Sequence, residues 1–363
     1  MLRQTQQTNA PRGRGGLRRQ ITRILTGLIV LLLILGAIGF VYEGSVESRV
    51  YQSFPPPGTL IDVGGYNLHL NCMGEGSPTV IVNAASQGGS LYWSLVQPEV
   101  AAFTRICTYD RAGYAWSDPS PSRRSSTEMV TELRVLLRSA QVEPPYVLVG
   151  HGMGGLHLQH FAMLHPDDVT GLVLIDSDHP EYETHMPEPV SRVEAANINA
   201  LAARRLLARL GLLRLLGIAG QIEFPAEFDL LPPETHTPAK EFWVYNAQVY
   251  ATLAAENQRT MLQESRAQVR RLSPGVASWL PNVPLIVITH GIPGGRVSGL
   301  DAELAAEEER VWQEMQRDMA ALGQPLHGEP LVAEQSTFID ILLKQPNLVT
   351  NAIQEVVAAA RSR

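Results

Sequence analysis

The sequence is short of lysine and cysteine and has no excess of positive charge. Its only lysines are Lys240 and Lys344, so arginine carries nearly all the positive charge, which we interpret as genomic bias rather than chemistry. The net charge of -7 and the pI near 5.8 argue against a nucleic-acid partner, because such proteins present a basic face. The sequence has no internal repeat, phosphate-binding loop or metal-ligand spacing, so it predicts no cofactor and no metal site.

A further absence lies at the centre of a turn. Residues 146–155 read Tyr-Val-Leu-Val-Gly-His-Gly-Met-Gly-Gly, which is an apolar strand, a Gly-x-X-x-Gly turn and the start of a helix. This pattern is typical of a nucleophile elbow, in which the turn is so tight that small residues must flank its centre. The central residue is Gly152, where the pattern usually has serine. The turn therefore carries no side chain that could attack a substrate.

The N-terminal part of the chain differs in kind from the rest. Residues 1–23 contain six arginines and no acidic residue, so they are predicted to be disordered. The uncharged apolar run 24–42 would span about 28 Å as a helix, close to the ~30 Å hydrocarbon core of a bilayer. We predict a transmembrane helix there, followed by a linker over 43–58. The alternative is a cleaved signal peptide, which the long apolar run and the missing cleavage pattern disfavour.

The charges on either side of the apolar run predict its orientation. Arginines precede it, and Glu43 and Glu47 follow it. By the positive-inside rule the N-terminus is cytoplasmic and the globular part extracytoplasmic, with one pass through the membrane. The lipid bilayer is thus a predicted partner, through residues 24–42.

Strand-like and helical segments alternate after residue 58, as a doubly wound α/β sheet requires. The region 180–280 has no strand periodicity and is predicted to be a helical cap. Residues 59–179 and 281–363 are predicted to form the core around the sheet. The strand-like runs are 60–63, 66–72, 79–83, 105–109, 146–150, 171–175, 284–289 and about 329–333.

The segment from Gly58 to the C-terminus resembles a bacterial family of α/β-hydrolase-fold proteins with esterase- or lipase-like members. The stretches that carry the resemblance are 62–72, 107–118, 147–155 and 171–180. The resemblance implies a mostly parallel eight-stranded sheet with helices on both faces and a cap. It also implies acyl transfer to water by serine, an acid and histidine, in that order along the chain.

The triad implied by this resemblance is incomplete in the sequence. Gly152 stands at the serine position, and either Thr337 or Phe338 stands where the histidine is expected. The acid is expected in the loop after the seventh strand, where Gly294 stands and where no carboxylate occurs before Asp301. Because triad members act as a unit, loss of two of them argues for a non-catalytic protein.

Part of an oxyanion-binding pocket is still expected around Gly152. Backbone amides near Ala85 and at Met153 need no particular side chain to point into such a pocket. Ser86 lies on the oxyanion side of the turn, and in the family His151 is a residue that packs beside the turn. These four residues are the predicted remnant of the pocket.

If the sheet follows the strand order of the fold, Cys72 and Cys107 lie on neighbouring strands. Their Cα atoms could then be close enough for a disulfide, which would form outside the cytoplasm. The alternative is two buried thiols that pack as small apolar groups.

Three functions remain open from the sequence. The first is a membrane-anchored pseudohydrolase that serves as a structural or assembly subunit, or as a protein-interaction module, with other membrane proteins as partners. The second is a ligand-binding or sensor protein that uses the old pocket. The third is an esterase-like hydrolase of altered mechanism, which would need a titratable group with a strongly shifted pKa in the pocket.

Overall fold

The computed structural model describes residues 14–85, 89–122, 124–222, 224, 226–256, 263–264, 267–268, 271, 279–294 and 296–363. Ser86, one of the predicted pocket residues, lies outside these ranges, as do residues 1–13.

The first element of the described residues is one long helix, α1 (Arg14–Ser53), whose most apolar window is exposed. Its part from Arg18 to Ser53 is long and apolar enough to cross a membrane, with a mean hydropathy of 2.9 in its most apolar window. The prediction of disorder over 1–23 is wrong for residues 14–23, which are helical and continue without an intervening proline into the apolar run.

The predicted linker over 43–58 is also wrong for its first part, since α1 continues through it to Ser53. The helix stops there because three prolines follow, Pro55, Pro56 and Pro57. Glu43 suggested the start of a solvated linker. In the structure it is only 2% exposed and pairs with an arginine of the cap, and because glutamate is a good helix former the helix continues past it.

The domain is built on a sheet that has nine strands within the described residues. Neighbouring strands follow the order β1-β2-β4-β3-β5-β6-β7-β8, and β9 pairs with another part of β7. The pairs β1–β2 and β2–β4 are antiparallel and the others are parallel. The strands are β1 Thr59–Asp62, β2 Asn67–Met73, β3 Thr79–Asn83, β4 Ile106–Tyr109, β5 Tyr146–His151, β6 Val169–Ile175, β7 Pro284–His290, β8 Gln324–Pro325 and β9 Leu331–Ala333.

This order is that of the α/β-hydrolase fold, as the sequence predicts. The structure adds β8, a two-residue strand that is too short to give a periodic signal. The last predicted strand, 329–333, corresponds to β9.

Both faces of the sheet are covered, because successive residues of a strand point to opposite sides. In β5, Val147 and Val149 join one apolar core and Leu148 joins the other, and all three are fully buried. This explains why the central strands are continuous apolar runs rather than alternating ones. The helices around the sheet are α2 Gln97–Ala101, α3 Ser126–Ser139, α4 Met153–Leu164, α10 Ala302–Ala320, α11 Ile341–Lys344 and α12 Pro346–Arg361.

Helices without strands fill the described part of the chain between β6 and β7, in the predicted cap. They include α5 Tyr182–His185, α6 Glu188–Arg209, α7 Leu212–Ile218, α8 Pro233–Lys240 and α9 Ala247–Glu256. A small apolar core holds them together, with Leu213, Val244 and Tyr250 among its buried members.

Candidate functional site at the strand ends

The turn between β5 and α4 has the backbone of a nucleophile elbow. Gly152 at its centre has φ +53° and ψ -125°, a conformation that favours glycine. The flanking glycines are required by close approach. A Cβ at Gly154 would lie 2.3 Å from the carbonyl oxygen of Asn83, and one at Gly150 would lie 2.4 Å from Cα of Gly155. The elbow therefore keeps its backbone form, although its central residue offers no reactive atom.

The space in front of Gly152 is taken by an aromatic ring. A Cβ at residue 152 would lie 3.0 Å from Cζ of Phe338 and 3.3 Å from Cβ of Ala85. His151 Nε2 lies 2.9 Å from the carbonyl oxygen of Phe338 and would donate a hydrogen bond to it, and the two rings lie 5.2 Å apart. Of the two residues predicted to stand at the histidine position, Phe338 is the one at the elbow. The amide of Thr337 instead donates to Asp340.

The loop on the opposite side of the elbow is held by an arginine. Arg111 donates to the side-chain oxygen of Asn83 at 2.9 Å, and to the carbonyl oxygens of Ala84 at 2.5 Å and Ala85 at 3.3 Å. Met153 begins α4 and is buried, so its amide lies at a helix N-terminus beside this loop. The sequence contains no signal that Arg111 would hold this particular loop, which precedes it by 26 to 28 residues.

A carboxylate lies at the end of β6, next to the elbow strand. Asp176 is completely buried and has φ +40°, which is rare for a residue with a side chain. It accepts hydrogen bonds from Trp312 Nε1 at 2.9 Å, from Thr289 Oγ1 at 3.0 Å, and from both the amide and Nδ1 of His290. Asp176 therefore lies at the centre of a polar cluster.

His290 lies between two carboxylates. Its Nδ1 is 2.8 Å from Asp176 Oδ2, and its Nε2 is 2.9 Å from Glu309 Oε2. Burial lowers the pKa of His290, but the hydrogen bonds that it donates to Asp176 and Glu309 outweigh this effect and raise this pKa to about 10. The pKa values of Asp176 and Glu309 are lowered, because their bonds to His290 outweigh the opposing effect of burial. We call Asp176, His290 and Glu309 the acid corner.

The acid corner binds a proton rather than exchanging one. His290 is the imidazolium at neutral pH, both ring nitrogens donate to carboxylates, and the side chain is 1% exposed. A general base needs a free lone pair within reach of its substrate. His290 has none, so its strongly shifted pKa is that of a structural ion pair.

A stacked layer covers the same region. The guanidinium carbon of Arg296 lies 3.6 Å from the ring centre of Trp312, 5.0 Å from that of Tyr182 and 5.6 Å from that of Phe338. Arg296 also pairs with Glu308 at 2.8 Å, and both side chains are buried. The sequence could not predict this stack, because its members are far apart along the chain and come from the cap, from α10 and from two loops.

The acidic helix α10 turns part of its charge inward. Glu308 is 4% exposed and Glu309 bonds His290, although a run of glutamates is usually a solvated surface. Trp312 follows Glu308 by four residues and Glu309 by three, so all three lie on one side of the helix. This spacing could have shown that the two glutamates lie on the side of the helix that the buried tryptophan occupies.

Gly294, predicted to stand at the acid position, is exposed and has φ +106°, with open space where a Cβ would lie. The buried carboxylate of this region is Asp176 instead, because β6 ends beside β7 and brings Asp176 to His290.

Cys72 and Cys107 form a disulfide, as one of the two readings of the sequence predicts. They face each other across the antiparallel pair β2–β4, with Cα atoms 4.0 Å apart. Within the described part of the chain, no group of three His, Cys, Asp or Glu side chains could hold a metal ion.

Comparison with known proteins agrees with this geometry. Residues 78–202 match a family described by the alpha/beta hydrolase fold. A thermophilic esterase from Thermogutta terrifontis superposes with a TM-score of 0.56 at 18% identity, over 83% of this chain and 98% of the esterase. The chain is therefore a protein of the α/β-hydrolase fold.

Its similarity to curated proteins is partial. An uncharacterized protein of Schizosaccharomyces pombe is 28% identical over 224 residues, which are 53% of this chain and 41% of that protein. An uncharacterized vacuolar membrane protein of Saccharomyces cerevisiae is 36% identical over 156 residues, which are 38% of this chain and 24% of that protein. This chain spans between 18% and 56% of the length of such relatives.

Proposed function

We propose that this protein is a membrane-anchored, non-catalytic member of the fold that serves as a structural or assembly subunit among membrane proteins. Helix α1 is the anchor, with its N-terminus in the cytoplasm and the domain on the other side. The arginines before the apolar run and the glutamates after it support this orientation.

The observation that carries the proposal is the contact between Gly152 and Phe338. The central position of the elbow has no nucleophile, and an aromatic ring lies where a catalytic base would have to stand. Triad catalysis needs a base within hydrogen-bond reach of the nucleophile. A carbon ring cannot accept that proton.

An enzyme of altered mechanism has less support. It would need a titratable group that is both shifted and available, and His290 is the group in this region with a strongly raised pKa. Its two nitrogens are engaged and its side chain is buried, so it offers no proton-accepting atom to a substrate.

Ligand binding in the old pocket also has less support. Phe338 fills the space beside the elbow, as a collapsed pocket requires. The cleft between the cap and the sheet is lined among others by Tyr92, Tyr114 and Phe242, not by the residues of the elbow that the old pocket would use.

Purification of the intact protein from its native membranes in a mild detergent tests the proposal. We expect it to elute with other membrane proteins in fixed stoichiometry, as measured by the particle mass and by mass spectrometry of the subunits. A lone monomer with no co-purifying protein would contradict the role as a subunit and would direct attention to the cleft.

A further inference from the structure

An unusually apolar surface lies at the end of the cap nearest to α1. Five large aliphatic side chains of α6 and α7 point outward, and we call them the cap ridge. Their exposed fractions are 59% for Leu206, 38% for Leu212, 60% for Leu215, 41% for Leu216 and 74% for Ile218. Such a concentration of exposed leucine and isoleucine marks a surface with a partner.

The cap ridge lies beside the apolar part of α1. A Cβ at Gly39 would lie 2.2 Å from the carbonyl oxygen of Leu210, so only glycine permits the observed approach. One turn earlier, the Cβ position of Gly36 lies 3.7 Å from the side chain of Leu210. Leu210 links α6 to α7 and stands between Leu206 and Leu212, in the middle of the cap ridge.

These contacts define a depth relative to the bilayer. The apolar run of α1 ends at Tyr42, and Gly39 and Gly36 lie about 5 and 9 Å before that end at ~1.5 Å per residue. Interfacial helices bury their apolar face about 5–10 Å into the boundary between headgroups and acyl chains. If α1 spans the membrane, the cap ridge lies at that depth.

Polar contacts join the cap to α1 and hold the cap ridge in a fixed position relative to that helix. Arg214 pairs with Glu43 at 2.9 Å and with Glu241 at 2.7 Å. Asn246 donates to the hydroxyl of Tyr51 at 2.9 Å, two turns further along α1. The joint thus combines a buried ion pair with a second polar contact on another turn.

Exposed arginines stand beside the cap ridge. Arg205 and Arg209 lie on α6 before and after Leu206, and both are exposed. A helix with leucines on one side and arginines on its polar side is typical of the interface with anionic lipids.

We propose that the cap ridge is inserted into the lipid interface of the same membrane that α1 spans, so that the domain sits on the bilayer through its cap instead of hanging from a flexible tether. This inference rests on the proposed anchor. The occupant of the surface is lipid, because the cap ridge adjoins the apolar run of α1 at Gly36 and Gly39.

Spin labelling of the full-length protein tests this inference. Cys72 and Cys107 form a disulfide and are the only cysteines, so a single introduced cysteine can be labelled with a nitroxide. The probe variant is Ile218→Cys. The matched control is Val332→Cys, because Val332 is an aliphatic residue that is 49% exposed on the edge strand β9 of the domain. A third variant, Leu33→Cys, reports on the middle of α1.

The labelled proteins are reconstituted in nanodiscs of phosphatidylcholine and phosphatidylglycerol, and collisions of each label with oxygen and with a water-soluble nickel chelate are measured. Oxygen concentrates in lipid and the chelate stays in water. We expect the ratio of oxygen to nickel collisions at residue 218 to exceed that at residue 332 several-fold, and to approach that at residue 33.

The outcomes separate this inference from the proposed anchor. A lipid-like ratio at residue 33 with a water-like ratio at residue 218 would overturn the seating of the cap and leave the anchor intact. A water-like ratio at residue 33 would overturn the anchor itself. Low collision rates with both reagents at residue 218 would mean that protein, such as a second copy of this chain, covers the cap ridge, and would also overturn the inference.

Discussion

The elbow and the acid corner lie at the ends of the neighbouring strands β5 and β6, yet they are held by opposite means. The elbow depends on the absence of side chains, because Gly150 and Gly154 are in contact with backbone atoms. The acid corner depends on the presence of charged side chains, since Asp176, His290 and Glu309 form a line of hydrogen bonds. The comparison teaches that the backbone of the elbow keeps its form without a nucleophile, whereas each charged group of the acid corner depends on the others.

Loss of the imidazolium from the acid corner is expected to have the largest effect. His290→Leu would leave Asp176 as a buried charge without its partner, which costs about 3–5 kcal/mol of unfolding free energy. Chemical unfolding in detergent, followed by circular dichroism, measures it.

The matched control is His327→Leu, because His327 pairs with Glu355 at 2.8 Å on the exposed surface. Surface pairs contribute about 0–1 kcal/mol. Equal effects of the two substitutions would mean that burial adds nothing to the acid corner, and would break the comparison.

A methyl group at the elbow is expected to have the next largest effect. Gly154→Ala would place a Cβ 2.3 and 2.4 Å from two carbonyl oxygens of the neighbouring loop, which cannot rotate away. We expect a loss of about 3 kcal/mol, at the upper end for overpacking. Gly44→Ala serves as the control, since Gly44 also lies in a helix, α1, and nothing lies within 4 Å of its Cβ position. If Gly154→Ala is as stable as the control, the backbone of the elbow can move to make room for a methyl group, and the prediction is wrong.

The acid corner is also expected to make stability depend on pH. The pKa of His290 is raised to about 10 from an ordinary 6.5, so the folded state holds a proton that the unfolded state releases. Its contribution is complete below about pH 6.5 and is lost as the pH rises to about 10, with a slope of at most ~1.4 kcal/mol per pH unit.

Midpoints of thermal unfolding at pH 7, 8 and 9 measure this dependence in the wild type and in His290→Leu. The wild type is expected to lose stability more steeply than the variant. Parallel curves would contradict the assignment of the proton to His290.

Restoring the serine is expected to have the smallest effect on stability and none on activity. Gly152→Ser adds strain at φ +53° and a contact with the ring of Phe338, together about 1–2 kcal/mol. Because no histidine stands ready to accept the proton, the variant should not hydrolyse a short-chain nitrophenyl ester above the wild-type rate.

The double variant Gly152→Ser with Phe338→Ala sharpens this test by removing the ring. Adding the serine to Phe338→Ala should cost less unfolding free energy than adding it to the wild type. The double variant should still lack activity. Robust hydrolysis by either serine variant would overturn the proposed non-catalytic role.

Much of the fold could be predicted from local patterns. The strand β3 (Thr79–Asn83) and the start of β5 at Tyr146 follow from short apolar runs, and the elbow follows from the spacing of three glycines. The ends of α1 could not be predicted in the same way. Glu43 looks like the end of an apolar span, but glutamate is a good helix former and the helix continues past it, with Glu43 buried against Arg214, 171 residues later.

The candidate site divides in the same manner. The missing nucleophile is a property of one position, Gly152, and the sequence alone determined it. That Phe338 rather than Thr337 faces the elbow, and that Asp176 rather than a residue near Gly294 supplies the buried carboxylate, was decided by the tertiary structure.

The physical reason is the range of the interactions. Hydrophobic periodicity and glycine spacing act within a few residues of the chain, so the order of residues 146–155 was enough to give the turn. Hydrogen bonds and ion pairs join whichever side chains the packed sheet brings together, and no local pattern encodes such a meeting. The acid corner, the stacked layer around Arg296 and the contacts between the cap and α1 exist only once β6, β7, α10 and α1 have taken their places.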